Sequence, residues 1–246
     1  MSFTNNDFVY LENIFKSFGK LEALKDVSIK IERNKITSIV GDNGSGKSTL
    51  IKILSGSLKP SSGTIYIESK SYKYLTPTIA YENGISTVYQ DLSLDNYRDV
   101  VGNIFLGKEI TKFGFILDYK KMKKQTEHLL GKLDINIPYI NSPVGYLSGG
   151  QRQSTAIARS IYQGKKLIIF DEPTAAMGLK ESMAINKLIQ SLPANGYTIV
   201  LISHDINKVY EISDRIYMLR NGETVNDSLK EDITLSELKE KIRGAY

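Results

Sequence analysis

Apolar positions change their period along this chain, and each change marks an element. Between Phe8 and Ile31 the residues Val27, Ile29 and Ile31 alternate with Ser28 and Lys30, as in a half-buried antiparallel strand, with Phe18 expected in the turn. Ile36-Thr37-Ser38-Ile39-Val40 is a short apolar strand ending at Gly41, and Leu50, Ile51, Ile53 and Leu54 then take helical spacing. Ile65 and Ile67 alternate after the Pro60–Gly63 turn, and Ser86–Tyr89 reads as a further strand that ends at Gln90.

From about Asp95 the texture becomes helical. Asp118 is placed to cap a helix carrying Met122, Leu129, Leu130 and Leu133, with His128 on its surface, and Thr155–Ile161 continues as a helix that Gly164 can end. Leu167–Phe170 is a buried strand running into Asp171-Glu172. Leu179, Met183, Leu188, Ile189 and Leu192 space another helix, and Tyr197–Ile202 is a strand ending at Ser203-His204-Asp205. Arg215–Leu219, the Asn221-Gly222 turn and Glu223–Val225 form a hairpin, and Thr234 with Glu237 forms a capping box for a last helix.

Composition narrows the class without changing this picture. The 246 residues, 41% hydrophobic and 24% charged, suit a globular core, and no run approaches the roughly 18 apolar residues of a membrane span. Met1–Tyr10, with Asn5, Asn6 and Asp7, lacks the basic start and apolar run of a secretory signal, so a cytoplasmic location is expected. No cysteine and two isolated histidines leave oxygen ligands for any metal. The net charge of +5 is scattered; its densest cluster, Lys120, Lys121, Lys123 and Lys124, fits a solvated helix face, and no nucleic-acid partner is expected.

Two glycine-rich loops carry the chemistry. Gly41-Asp42-Asn43-Gly44-Ser45-Gly46-Lys47-Ser48 fits the G-x-x-x-x-G-K-[ST] phosphate loop between a strand and a helix, where backbone N–H groups surround phosphates and Lys47 adds a mobile charge. Asp171 and Glu172 stand at the carboxyl edge of a strand, where open α/β sheets bind ligands. Leu147-Ser148-Gly149-Gly150-Gln151-Arg152-Gln153 is a second small-residue loop feeding a helix, and one nucleotide rarely needs two such cradles from one subunit.

With these pieces in order, the chain resembles the ATP-binding subunit of an ABC transporter. Gly41–Thr49 matches Walker A, Gln90 the Q-loop, Leu147–Gln153 the signature, Leu167–Glu172 Walker B with the catalytic acid, and His204 the switch histidine. The resemblance implies an α/β fold: a RecA-like P-loop NTPase core with an N-terminal antiparallel β subdomain and an inserted α-helical signature subdomain. We expect one ABC ATPase domain over 1–246, about 1–94 and 164–246 forming the catalytic core and β subdomain and about 95–163 the helical subdomain.

The same resemblance implies the site roles. ATP and Mg²⁺ are the expected cofactors. Gly41, Asp42, Asn43, Gly44, Ser45, Gly46, Lys47, Ser48 and Thr49 would bind ATP phosphates, and Phe18 would stack on adenine. Ser48, Gln90 and Asp171 would organise Mg²⁺, Glu172 would polarise the attacking water, and Gln90 and His204 would complete the catalytic set. Ser148, Gly149, Gly150 and Gln151 would act on ATP held by a partner, because family cassettes pair head to tail.

Finer words, Gly-Asp-Asn-Gly, Tyr89-Gln90-Asp91-Leu92, Asn103–Gly107 and Ala-Ala-Met-Gly-Leu-Lys-Glu-Ser, together resemble the monosaccharide-importer branch. After Pro173-Thr174, Ala175-Ala176-Met177-Gly178 replaces the usual Ser-Ala-Leu-Asp, so the expected interface aspartate is absent. The implied protein is an ATPase on the inner face of the cell membrane. It would form a homodimer, dock on transmembrane permease subunits beside Gln90, and act indirectly with a solute-binding protein to import a simple sugar. Another cargo (an amino acid, peptide, nucleoside or metal) and a non-transport ABC ATPase are the competing readings; the second is disfavoured by the lack of coiled-coil heptads.

Overall fold

The structure, a computed structural model, describes residues 4–68, 70–175 and 177–243, with the backbone alone at Arg243. Met1–Phe3, at the head of the N-terminal stretch read above, and Ala176, within the departure after Thr174, lie outside the described residues. β1 (Asp7–Phe18) and β2 (Leu21–Glu32) open the chain as a long antiparallel pair. Phe18 pairs with Leu21, so it is the last residue of the strand and the turn is Gly19-Lys20, one step later than expected.

β3 (Ile36–Val40) is buried at all five positions and leads through the phosphate loop to α1 (Lys47–Leu54). Then come β4 (Ser62–Ile67), β5 (Lys70–Tyr72), α2 (Pro77–Glu82) and β6 (Ile85–Val88). The helical stretch holds α3 (Val100–Ile104), the small pair β7 (Thr111–Lys112) and β8 (Ile116–Leu117), α4 (Tyr119–Lys132) and α5 (Gly149–Tyr162). β9 (Leu167–Asp171), α6 (Leu179–Ser191), β10 (Thr198–Ile202), α7 (Ile206–Ile212), β11 (Arg215–Arg220), β12 (Glu223–Leu229) and α8 (Leu235–Arg243) complete it.

The chain forms two compact units. One comprises Met1–Thr87, Lys166–Glu172 and Gln190–Tyr246; the other comprises Val88–Lys165 and Pro173–Ile189. The unit that holds the helical segment expected at about 95–163 also takes in Val88 onward, residues up to Lys165, and all of α6 but its last two residues. The signal for that joining is local: Gly150 of α5 lies so close to Glu181 of α6 that an added Cβ would sit 3.3 Å from the glutamate Cβ.

In the first unit an antiparallel sheet of order β2-β1-β4-β5 accompanies a six-stranded sheet of order β12-β11-β3-β10-β9-β6. β3 runs parallel to both β10 and β11, and its Ile39 and Val40 are buried, as expected of a central strand with both faces covered. Register matters more than strand count. Ile202 pairs with Ile39 on one side and with Asp171 on the other, so β3, β10 and β9 end level and release their following residues along one edge.

In the second unit α5 is the central element, burying Gln153, Thr155, Ala156, Ile157, Ala158, Ser160 and Ile161. α3 packs on it, with the Phe105 and Tyr162 rings 4.1 Å apart. The fully buried Asn103 replaces water for the irregular backbone before α3. Its Nδ2 donates to the carbonyls of Asp95 and Asp99 at 3.0 Å each, and its Oδ1 accepts from Asp95 N at 2.8 Å.

Candidate active site

The phosphate loop is shaped by what surrounds it as much as by its own residues. Gly46, the N-cap of α1, has φ +106, and a Cβ there would lie 2.7 Å from Leu24 Cδ2 and 2.8 Å from Ala23 O. Only glycine fits this conformation against β2. No side chain caps α1, so the first-turn N–H groups, including those of Lys47 and Ser48, point out of the helix start without a side-chain acceptor. Such donors, with the positive end of the helix dipole, form an anion site.

The β11–β12 turn pins this loop. Asn221 (φ +49) and Gly222 (φ +82) form the left-handed turn that suits a two-residue hairpin. Gly222 N donates to Ser45 O at 3.1 Å, while Gly222 O accepts from Lys25 N at 2.7 Å. A Cβ on Gly222 would lie 2.9 Å from Ala23 O. The loop, β2 and the hairpin tip thus interlock through two close glycines, a feature that the Asn-Gly word announces only as a turn.

Charge converges at the same edge. Lys47 Nζ donates to Gly41 O at 2.7 Å and Asp42 O at 2.8 Å, its ammonium folded back on the loop. Burial pushes the Lys47 ammonium below the usual lysine value, while Glu172, Asp42 and Asp171 oppose that shift. Burial, reinforced by neighbouring Glu172, pushes the Asp171 carboxyl above the usual range; Lys47 and Lys52 act against it. Both shifts trace first to burial of the charged group.

Glu172 sits one residue past β9 with φ +51, uncommon for a residue carrying Cβ. Its N–H donates to Ile202 O at 3.0 Å, so the strand register holds this conformation in place. Backbone strain of this kind clusters at working sites. Its Oε1 lies 2.9 Å from His204 Nδ1, and the histidine side chain is 76% exposed. If Nδ1–H donates to the carboxylate, neutral His204 keeps Nε2 as an acceptor; only the imidazolium donates at both nitrogens.

Phe18 is 48% exposed, with Lys16 Nζ over its ring, 4.9 Å from the centre. Asp42, Asn43, Gly44 and Ser48 are exposed, Gly41 and Thr49 are partly so, and Ser45 is buried. The first unit therefore gathers the loop, Asp171, Glu172 and His204. Gln90 belongs to the second unit, as an exposed residue two positions past β6.

The second cradle is built differently. Ser148 is the N-cap of α5, its Oγ accepting from Gln151 N at 3.4 Å while Gln151 Oε1 accepts from Ser148 N at 3.1 Å. This reciprocal capping box is satisfied within the loop. Gly149 has open space around its Cα, and Gly150 faces Glu181. Gly178 follows Met177, and its carbonyl accepts from Ser182 N at 2.9 Å in the first turn of α6.

A strand–loop–helix phosphate cradle with carboxylates at the ends of parallel strands defines a P-loop nucleoside triphosphatase. The sequence profile of the ABC transporter family matches residues 24–175. The chain is 41% identical over 235 residues to the xylose/arabinose import ATP-binding protein XylG of Sulfolobus acidocaldarius, covering 96% of this chain and 93% of that protein. It is 39% identical to the fructose import ATP-binding protein FrcA of Rhizobium meliloti, covering 94% and 92%.

Among solved structures, the ADP conformation of MJ1267, an ATP-binding cassette of an ABC transporter, superimposes with a TM-score of 0.83 at 28% identity, covering 98% of both chains. The dimeric post-hydrolysis cassette MJ0796 bound to ADP and Pi gives a TM-score of 0.76 at 28% identity, covering 92% of this chain and all of that one. The chain belongs to the ABC transporter family, as one of its ATP-binding cassettes, and is an ATPase.

Proposed function

We propose that this cassette hydrolyses ATP to drive import of a simple sugar through a separate membrane permease, at the inner face of the membrane. The observation that carries the ATPase half is the level ending of β3, β9 and β10, which sets Lys47, Asp171, Glu172 and His204 along one edge. The sugar half is supported by relatives named for import of xylose/arabinose and fructose.

Phosphoryl transfer to water is mainly positioning and charge stabilisation. In this reading Lys47 leaves its loop carbonyls for the phosphates, and the α1 N–H groups hold their oxygens. Glu172 accepts a hydrogen bond from the attacking water, with His204 fixing the direction of its carboxylate. His204, 2.9 Å from Glu172 and largely exposed, would also face the γ-phosphate, so phosphate loss would be felt at that pair. Phe18 would offer its half-exposed ring to adenine.

The donor set fits Mg²⁺. Asp171 and the exposed Ser48 hydroxyl are few and oxygen-only, and among the described residues no group of three or more His, Cys, Asp or Glu gathers for a dedicated cage. Mg²⁺ keeps waters and takes one or two protein oxygens beside nucleotide phosphates. Asp171, Ser48 and, through water, Gln90 would hold it, and the ion would supply charge against the phosphate oxygens. Ser148, Gly149, Gly150 and Gln151 would serve ATP on a second cassette, a reading supported by the dimeric relative.

Substituting Glu172→Gln keeps shape but removes the carboxylate, so turnover should fall about 10²- to 10⁴-fold with ATP still bound. For the whole reading, permease and cassette are reconstituted in vesicles with ATP and labelled pentoses and hexoses. Sugar uptake should require the cassette and stop with the Glu172→Gln protein; uptake indifferent to either would refute the import role.

A further inference from the structure

The β7–β8 pair has no place in ATP chemistry, yet its apolar side chains point into solvent. Phe113 is 87% exposed, Phe115 79%, Ile116 51% and Leu117 56%, on a hairpin registered through Thr111–Leu117 and Lys112–Ile116. Its base is closed by Asp118 N donating to Ile110 O at 2.7 Å. Phe113 takes a left-handed φ of +54 at the turn, where Asn, Asp or Gly would sit more easily. A bare two-stranded pair is marginal in water, and four adjacent large apolar side chains on it form a contact surface.

Its setting is basic. From Lys108 to Lys124 the chain carries six lysines against Glu109 and Asp118. Asp118 is already occupied, accepting from Lys121 N at 3.1 Å as the α4 cap and lying 3.5 Å from Lys112 Nζ. α4 buries Met122, Thr126 and Leu130, which leaves Lys120, Lys121 and Lys124 exposed just after the hairpin. Aromatic and aliphatic tips beside lysines match the acyl boundary and headgroups of an anionic bilayer.

We propose that the β7–β8 hairpin and the first turns of α4 dock on an anionic lipid surface, the apolar tips entering the headgroup layer and the lysines facing phosphate. This deepens the membrane location proposed above and rests on it, but the test needs no permease, so the two fail separately. The full chain is sedimented with vesicles of phosphatidylcholine alone or mixed with phosphatidylglycerol.

Binding should require phosphatidylglycerol and weaken as salt rises. Phe113→Ser with Phe115→Ser, and separately Lys120→Gln with Lys121→Gln and Lys124→Gln, should each lower it tenfold or more, with ATP turnover and melting temperature unchanged. The charge variant keeps the test valid if the hairpin variant misfolds. No binding to the mixed vesicles overturns the proposal, as does binding that ignores both variants. So does a hairpin variant that loses only co-purification with permease, which would identify a protein partner instead.

Discussion

Two helix starts in this molecule carry adjacent or near-adjacent glycines, and they are solved in opposite ways. At α1 the cap is a strained Gly46 with no side-chain bond, wedged against β2, and Lys47 is the mobile charge. At α5 the cap is Ser148, closed by a reciprocal bond with Gln151, and neither Gly149 nor Gly150 has a positive φ. The first cradle is held open from outside by neighbouring elements. The second is held closed from within, so it is a finished surface that can cover an anion, and its one cation, Arg152, is turned to Asn96 Oδ1 at 3.3 Å.

The largest expected effect breaks the first cradle at its charge. Lys47→Met removes the only lysine among residues 41–49 and should lower ATP turnover about 10²- to 10³-fold, the scale for losing one preorganised donor at developing charge. Phosphate release by the purified variant measures this. Near-normal turnover would mean the backbone donors alone suffice, and the contrast with the lysine-free second cradle would lose its meaning.

Next comes the outside support. Gly222→Ala puts a Cβ 2.9 Å from Ala23 O at φ +82, a strain of about 1–3 kcal/mol. Because Gly222 N holds Ser45 O, the loop should shift, raising KM for ATP more than it lowers kcat. Thermal melting and steady-state kinetics read the two effects. A variant that is destabilised with KM intact would make the hairpin a scaffold only.

The two cradles also differ in how far sequence exposed them. The phosphate loop was legible because its words are local: a five-residue strand, a fixed glycine spacing and a lysine. The hold of Gly222 on that loop was hidden because it joins Ser45 to a turn far along the chain, and no period records such a contact. Glu172 was readable as an acid at a strand end, but its left-handed backbone follows from the Ile202 register, which only the sheet order supplies. The placing of Pro173–Ile189 with the signature unit was missed for the same reason, since α6 has an ordinary helical stripe. β7 and β8 are two residues each, too short for alternation to show.

A smaller change tests the closed cradle from within. Ser148→Ala removes the acceptor for Gln151 N and should cost about 1 kcal/mol of stability, typical of a lost N-cap. Chemical denaturation measures it, and Ser148→Asp, which keeps an acceptor, should restore that stability. If alanine were neutral, the box would not be what shapes the loop.

The smallest expected effect on stability separates shape from purpose most cleanly. At Gly149 an added Cβ meets nothing within 4 Å and the backbone has no positive φ, so alanine fits. Reduced freedom in the unfolded chain should then stabilise the protein by about 0.4–1 kcal/mol. At Gly150 the same change presses on Glu181 Cβ at 3.3 Å, which offsets the gain. Were Gly149 there only to start a helix, Gly149→Ala would be a harmless improvement. If it leaves room for phosphate oxygens of a second cassette, the variant should melt higher yet hydrolyse ATP poorly. A higher melting temperature with full turnover would argue that nothing approaches this face, and the closed cradle would be a helix cap alone.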